Sequence, residues 1–233
     1  MTKRPETLHE TRDVVYDDSH WNLLRSLREK ALEVMKKLDD AGMRAFAYGS
    51  IARGDIHTSS DIDVVVPYPV SSYKIEVSIG RGVHRELVQA TPTTVMKGHI
   101  YLSNSLVVTF PLFKLMPREE EFYKWGGQVD IDQIHDEVRV PGVDKRLVLI
   151  EPTETGHMER GVIGYEHEVA KRIGVSIAIA QERVRVLRRR DNVGRTGVYL
   201  TKPLSEDESF ETVAKSLKDS DPAIRRTIGR RGE

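Results

Sequence analysis

Apolar residues recur at three- and four-residue intervals through Trp21, Leu24, Leu27, Ala31, Met35 and Leu38, the spacing of one helix face. Asp18-Ser19 suits an N-cap and Gly42 a C-terminal stop, so a helix is expected from Asp18 to about Ala41. Residues 1–17 ahead of it are polar and are expected to be loose. Past Gly42 the period shortens. Arg44–Tyr48 reads as a short strand, and Asp61–Val66 as a nearly unbroken apolar one closed by Pro67, the pattern of a central strand. Residues 71–82 fit either period: Tyr73–Ile79 alternates like a strand, while Ile75 and Ile79 share a helix face. Helix is preferred, because Arg85–Ala90 makes the better next strand. His99–Leu102 and Leu106–Phe110, joined by Ser103-Asn104-Ser105, carry a hairpin pattern. Pro117 opens a helix from Arg118 to Trp125 that stops at Gly126-Gly127; a helix over Asp130–Val138 and a strand over Arg146–Ile150 follow.

Beyond residue 160 the periodicity is helical again. Glu166–Ile173 carries Val169, Ala170 and Ile173 on one face, Gly174-Val175-Ser176 makes a tight turn, and Ile177 to about Arg190 buries Ile177, Ala180, Val184 and Leu187. Its other faces display Gln181, Arg185, Arg188 and Arg189, and a turn through Arg195 leads to a strand at Val198–Leu200. Phe210, Val213, Ala214 and Leu217 suit one short amphipathic helix, with disorder expected after it.

Charge sharpens this division. The 233 residues carry no net charge, but 165–203 hold nine Lys or Arg against four acids, a local +5 that leaves −5 elsewhere. Four segments are therefore expected: 1–17 flexible, 18–160 a first domain, 161–204 a second, and 205–233 a charged tail. With no cysteine, a disulfide framework, a thiol nucleophile and a Cys-based zinc site are excluded. No run approaches the roughly 18 apolar residues of a membrane span, and Met1–Glu6 lacks the apolar core of a signal peptide. A cytoplasmic protein is expected.

The chemistry concentrates in Tyr48-Gly49-Ser50-Ile51-Ala52-Arg53-Gly54 and Ser60-Asp61-Ile62-Asp63. Side chains two apart on a strand share a face, so Asp61 and Asp63 can grip a divalent cation such as Mg2+ or Mn2+. Glycine at 49 lets backbone approach a triphosphate closely, Ser50 adds a hydroxyl, and Arg53 is a candidate phosphate contact. Asp130-Ile131-Asp132 repeats the carboxylate spacing without a Gly-Ser turn, and helix capping is the expected reason. Phe122, Tyr123 and Trp125 are expected in the core. His135 and His157 have no partner at metal-ligand spacing and are read as structural or surface residues.

The order Gly49-Ser50, Arg53-Gly54, Ser60-Asp61-Ile62-Asp63 resembles the signature of the nucleotidyltransferase superfamily, which includes DNA polymerase beta and the minimal nucleotidyltransferases. The resemblance covers about residues 44–92. It implies an α+β fold with a mixed sheet and flanking helices. It also implies an NTP held by Gly49, Ser50, Arg53 and Ser60, and metal on Asp61, Asp63 and a third acid. That acid comes from the strand after the next helix, where Glu86 stands, with Glu76 in reserve. The segment around 165–203 resembles winged helix-turn-helix regulators, which implies nucleic-acid contact, DNA ahead of RNA, through Gln181, Arg185, Arg188, Arg189 and Arg195. Some such domains dimerise, so a homodimer is a further expectation. Two functions follow: transfer of an NMP group to a hydroxyl, or a DNA-binding regulator whose nucleotidyltransferase-like domain senses nucleotide.

Overall fold

A computed structural model describes residues 4–194 and 197–231. In chain order its elements begin β1 (Arg12–Val15), α1 (Asp18–Asp40), β2 (Phe46–Tyr48), α2 (Ser50–Arg53), β3 (Ile62–Val65), α3 (Ser72–Ile79) and β4 (His84–Gln89). They continue with β5 (Lys97–Ser103), β6 (Leu106–Pro111), α4 (Pro117–Trp125), β7 (Gln128–Val129), α5 (Ile131–His135) and β8 (Gly142–Val143). The last are β9 (Val148–Thr153), β10 (Gly156–Gly161), α6 (Glu166–Ile173), α7 (Ile177–Val193), β11 (Leu200–Pro203), α8 (Phe210–Ser220) and α9 (Pro222–Gly229). They form two compact units. The first takes the chain up to Lys30, Ala47–Ser60 and the stretch from Glu120 through α7; the second takes Ala31–Phe46, Asp61–Glu119 and the chain from Gly197 on.

In the first unit the antiparallel order β1-β10-β9-β8 makes one sheet. The stretch expected to be loose before residue 18 thus supplies an edge strand, with Arg12 opposite Glu159 and Val15 opposite Gly156. Helices α6 and α7 form, with Gly174 left-handed between them at φ 76° and Ser176 as the N-cap of α7, but Ile177, expected inward, is exposed and Ile179 is buried instead. Both helices fall within the first unit. Val169, Ala170, Ile173, Ile179, Ala180 and Val184 share one core with Trp125, Val143, Leu147, Leu149 and Val162. Ser176 is held doubly by Glu121, which accepts from its amide at 2.7 Å and its hydroxyl at 2.6 Å. Ser176→Ala should therefore cost about 1 kcal/mol, the usual worth of an N-cap, read as a lower urea midpoint with an unchanged slope.

The second unit carries strands in the order β11-β4-β5-β6-β3, with β3 parallel to β6 and the other pairs antiparallel. The hairpin β5–β6 and the preference for helix at α3 agree with the pattern analysis. The chain after α7 does not form the expected wing: β11 pairs with β4, Leu200 opposite Gln89 and Pro203 opposite Glu86. The tail is ordered past the first amphipathic helix. Phe210 is fully buried edge-on to Phe110 at 5.0 Å, and Glu211 accepts from the Ser72 amide and hydroxyl at the start of α3. Asp221 caps α9 with Pro222 at its first turn, the arrangement that suits proline's missing N–H. Arg231, buried, then clamps both carboxylate oxygens of Glu119 and the carbonyls of Thr93 and Lys114.

Candidate nucleotide-transfer site

The phosphate-suited turn lies in the first unit. Gly49 has φ 83°, a region open to glycine and strained for any side chain, and its amide donates to the Gly127 carbonyl at 2.9 Å. The one-turn helix α2 follows, and the first N–H groups of a helix have no intrahelical acceptor. The Ser50 hydroxyl, half-buried, lies 3.5 Å from that of Ser60. Ser60 itself is buried and accepts from the His57 amide at 3.0 Å, so its hydroxyl closes the loop after α2.

Arg53 departs from its expected role. Its guanidinium forks onto both oxygens of Asp55 at 2.9 Å and donates to the Gly126 carbonyl. The pair is buried, at 6% and 8% side-chain exposure. All of this fixes α2 to the loop beside it and leaves the arginine's fork committed. The C-terminal carbonyls of α2 are held by Arg28, which donates to Ile51 at 2.9 Å and Ala52 at 3.2 Å; burial lowers its pKa to about 10. Sequence reasoning passed over Arg28. The signal was a charge four residues after Leu24 and three before Ala31, on the apolar face of α1.

The carboxylate pair lies in the second unit. Asp61 is exposed just ahead of β3, Asp63 is half-buried on it, and Ile62 and Val64 fill the opposite, buried face. Two carboxylates on one face suit a single hard cation that keeps its other positions for water and phosphate oxygen. Glu86 does not join them. The register runs from β3 across β6 and β5 before reaching β4, three strand spacings or roughly 14 Å away. Its carboxylate instead accepts from the Tyr101 hydroxyl at 2.8 Å. The residue opposite Asp63 on the adjacent strand is Val107, and Thr109 follows on the same face. The reserve candidate Glu76 pairs with Arg85 at 2.8 Å and Arg81 at 3.4 Å. Among the described residues no three His, Cys, Asp or Glu side chains gather where they could hold a metal. Asp130, by contrast, does cap a helix, in a reciprocal box with Gln133.

On α7, Gln181, Arg185, Arg188 and Arg189 line a groove of about 510 Å³ together with Glu166 and Asn192. Among the described residues none of these three arginines forms an ion pair; Arg195 lies outside the described residues. Arg183, on another side of the helix, stacks over Phe122 at 5.0 Å. His157 proves buried and hydrogen-bonded to the Tyr16 hydroxyl at 2.5 Å, and burial lowers its pKa. His135 is exposed.

A family model, that of the nucleotidyltransferase domain, matches residues 28–154, a little over half of the chain. The chain belongs to the nucleotidyltransferase domain family. No curated protein and no solved structure matches it. The family model runs from the middle of α1 through β9, so it takes in the Gly-Ser turn and the carboxylate pair, together with α4 and α5. The family's chemistry is nucleotidyl transfer and its substrate an NTP. Among the described residues no helix is long and apolar enough to cross a membrane.

Proposed function

We propose that the protein transfers an NMP group from an NTP to a hydroxyl and releases pyrophosphate. The observation that carries this is the motif itself within a matched nucleotidyltransferase domain: Gly49-Ser50 at a glycine-only backbone turn, and Asp61 and Asp63 two apart at β3. Asp61 and Asp63 would hold Mg2+ or Mn2+. Bound there, the ion would neutralise phosphate charge and polarise the phosphoryl oxygens. Ser50 would offer its backbone N–H and hydroxyl to the triphosphate, while Gly49, whose own N–H is taken by the Gly127 carbonyl, leaves room for close backbone approach. The test is pyrophosphate release from each of the four NTPs with Mg2+ or Mn2+, comparing wild type with Asp61→Asn/Asp63→Asn. Release that the double substitution abolishes supports the reading, and release that survives it contradicts the assignment.

A second reading is a nucleotide sensor that binds NTP without transferring it. The separation of Glu86 from the carboxylate pair favours it, since the resemblance calls for a third acid beside them. It predicts NTP binding with no pyrophosphate released.

Helix α7 serves either reading as a nucleic-acid tether, with duplex DNA as the first probe. Its support is the groove lined by Arg185, Arg188 and Arg189, none of which forms an ion pair among the described residues. Affinity from phosphate contacts falls with salt, by roughly one unit of log–log slope for each contact. Replacing Arg185, Arg188 and Arg189 by Gln should flatten the slope by about one per arginine lost, measured by fluorescence anisotropy on a labelled duplex. A wild-type slope near zero contradicts the tether.

A further inference from the structure

We infer that Glu86 and Tyr101 hold the acceptor of the transfer by its hydroxyl groups, and that the acceptor carries a second hydroxyl beside the one that reacts. This rests on the nucleotidyl-transfer reading above.

Residues directly opposite one another in a sheet share a face, and every second residue returns to it. From Asp63 the register passes to Val107 on β6, Tyr101 on β5 and His84 on β4. Two residues along, Val65, Thr109, His99 and Glu86 line up in the same way. The carboxylate pair and the Tyr101–His99–Glu86 group therefore lie on one face of the second unit's sheet, with Val107 and Thr109 of β6 between them. Tyr101 stands two strand spacings from Asp63, roughly 10 Å. Its phenol is pushed up to about 12 by burial, by the bond to Glu86, and further by the charges of Asp63 and Asp61.

The group presents lone pairs. Tyr101 spends its proton on Glu86 Oε1 at 2.8 Å. Glu86 Oε2 lies 3.5 Å from His84 Nε2. His99 Nδ1 lies 3.5 Å from the phenol oxygen and 3.8 Å from Glu86 Oε1, and burial holds this imidazole neutral with a pKa near 4. At 14% exposure the Glu86 side chain is partly open. A part-exposed carboxylate and phenol oxygen accept hydrogen bonds and repel phosphate, so the partner that fits brings donors and no negative charge. Hydroxyls meet that need, and a carboxylate accepting from a ribose hydroxyl is a recurrent pairing.

In the transfer, a lone pair of the reacting hydroxyl oxygen forms the new bond to the α-phosphorus and its proton passes to solvent. The bond from that phosphorus to the bridging oxygen breaks, and pyrophosphate leaves with the electron pair. The neighbouring hydroxyl donates to Glu86 throughout, which fixes the attacking oxygen's direction. Glu86 and Tyr101 are thus positioning residues.

A ribose 3′ end or a free polyol could supply the two hydroxyls. The test gives wild type, Glu86→Gln and Tyr101→Phe three acceptors: an oligoribonucleotide, the same oligonucleotide ending in 2′-deoxyribose, and sorbitol. Labelled NMP transfer should favour the ribose end over the deoxy end by about tenfold or more, the size of one lost hydrogen bond to a charged group. Glu86→Gln should flatten that preference and raise the KM for acceptor while leaving the KM for NTP alone. Transfer to sorbitol alone supports the inference with a small-molecule source. Equal use of both ends, a preference untouched in Glu86→Gln, or transfer only onto a lone hydroxyl such as a protein side chain overturns it while the transfer reading stands. Wild type that releases no pyrophosphate with any NTP overturns both.

Discussion

Arg53→Ala is expected to destabilise the protein by about 3–5 kcal/mol, the cost of leaving a buried charge without its partner. The stranded group is Asp55, only 8% exposed, and the Gly126 carbonyl loses a donor in the same step. A urea melt should show this as a fall in midpoint, with NTP affinity of the remaining folded protein little changed. Arg53→Met/Asp55→Leu should recover much of the loss, because a buried ion pair replaced by apolar side chains of similar volume is often close to neutral. An unchanged midpoint with weakened NTP binding would return Arg53 to the phosphate-binding role that its motif implies.

Asp63→Asn should slow nucleotidyl transfer on the order of 10³-fold, the scale of removing one group that stabilises transition-state charge. Its side chain shares a strand face with Asp61, and the residue opposite it on β6 is apolar Val107, which cannot ligate a cation in its place. The fold should tolerate the change, since asparagine matches aspartate in size and Asp63 is half-buried rather than core. A thermal melt within a degree or two of wild type, alongside lost turnover, separates chemistry from folding.

Local signals were legible in the chain. The period of α1, the αL glycine and serine cap between α6 and α7, and the Asp130–Gln133 box all follow from neighbours a few residues apart. Pairings across long separations were not. β11 meets β4 more than a hundred residues earlier, and its short, mostly exposed stretch has no alternation that names a partner. The basic run therefore looked like a separate domain with a wing. The ordered tail was half-legible: the Phe210 stripe showed, while the Asp221-Pro222 start of α9 was overlooked. Within the site, the Gly49 turn and the Asp61–Asp63 pair could be read directly. Glu86 was misplaced because sequence order, helix then strand, does not reveal that β6 and β5 intervene in the sheet. Arg53 was read as a phosphate contact because its motif suggests one, and its bonds to Asp55 and the Gly126 carbonyl form only in three dimensions.

The claim at the centre is that Asp61 and Asp63 bind a divalent ion together with nucleotide. Titrating Mn2+ into the protein and following free Mn2+ by electron paramagnetic resonance, with and without an NTP analogue that cannot be cleaved, addresses it directly. The account predicts Mn2+ binding that tightens when the analogue is present and that Asp61→Asn/Asp63→Asn removes. Mn2+ and analogue binding that is the same in wild type and in the double variant would contradict it.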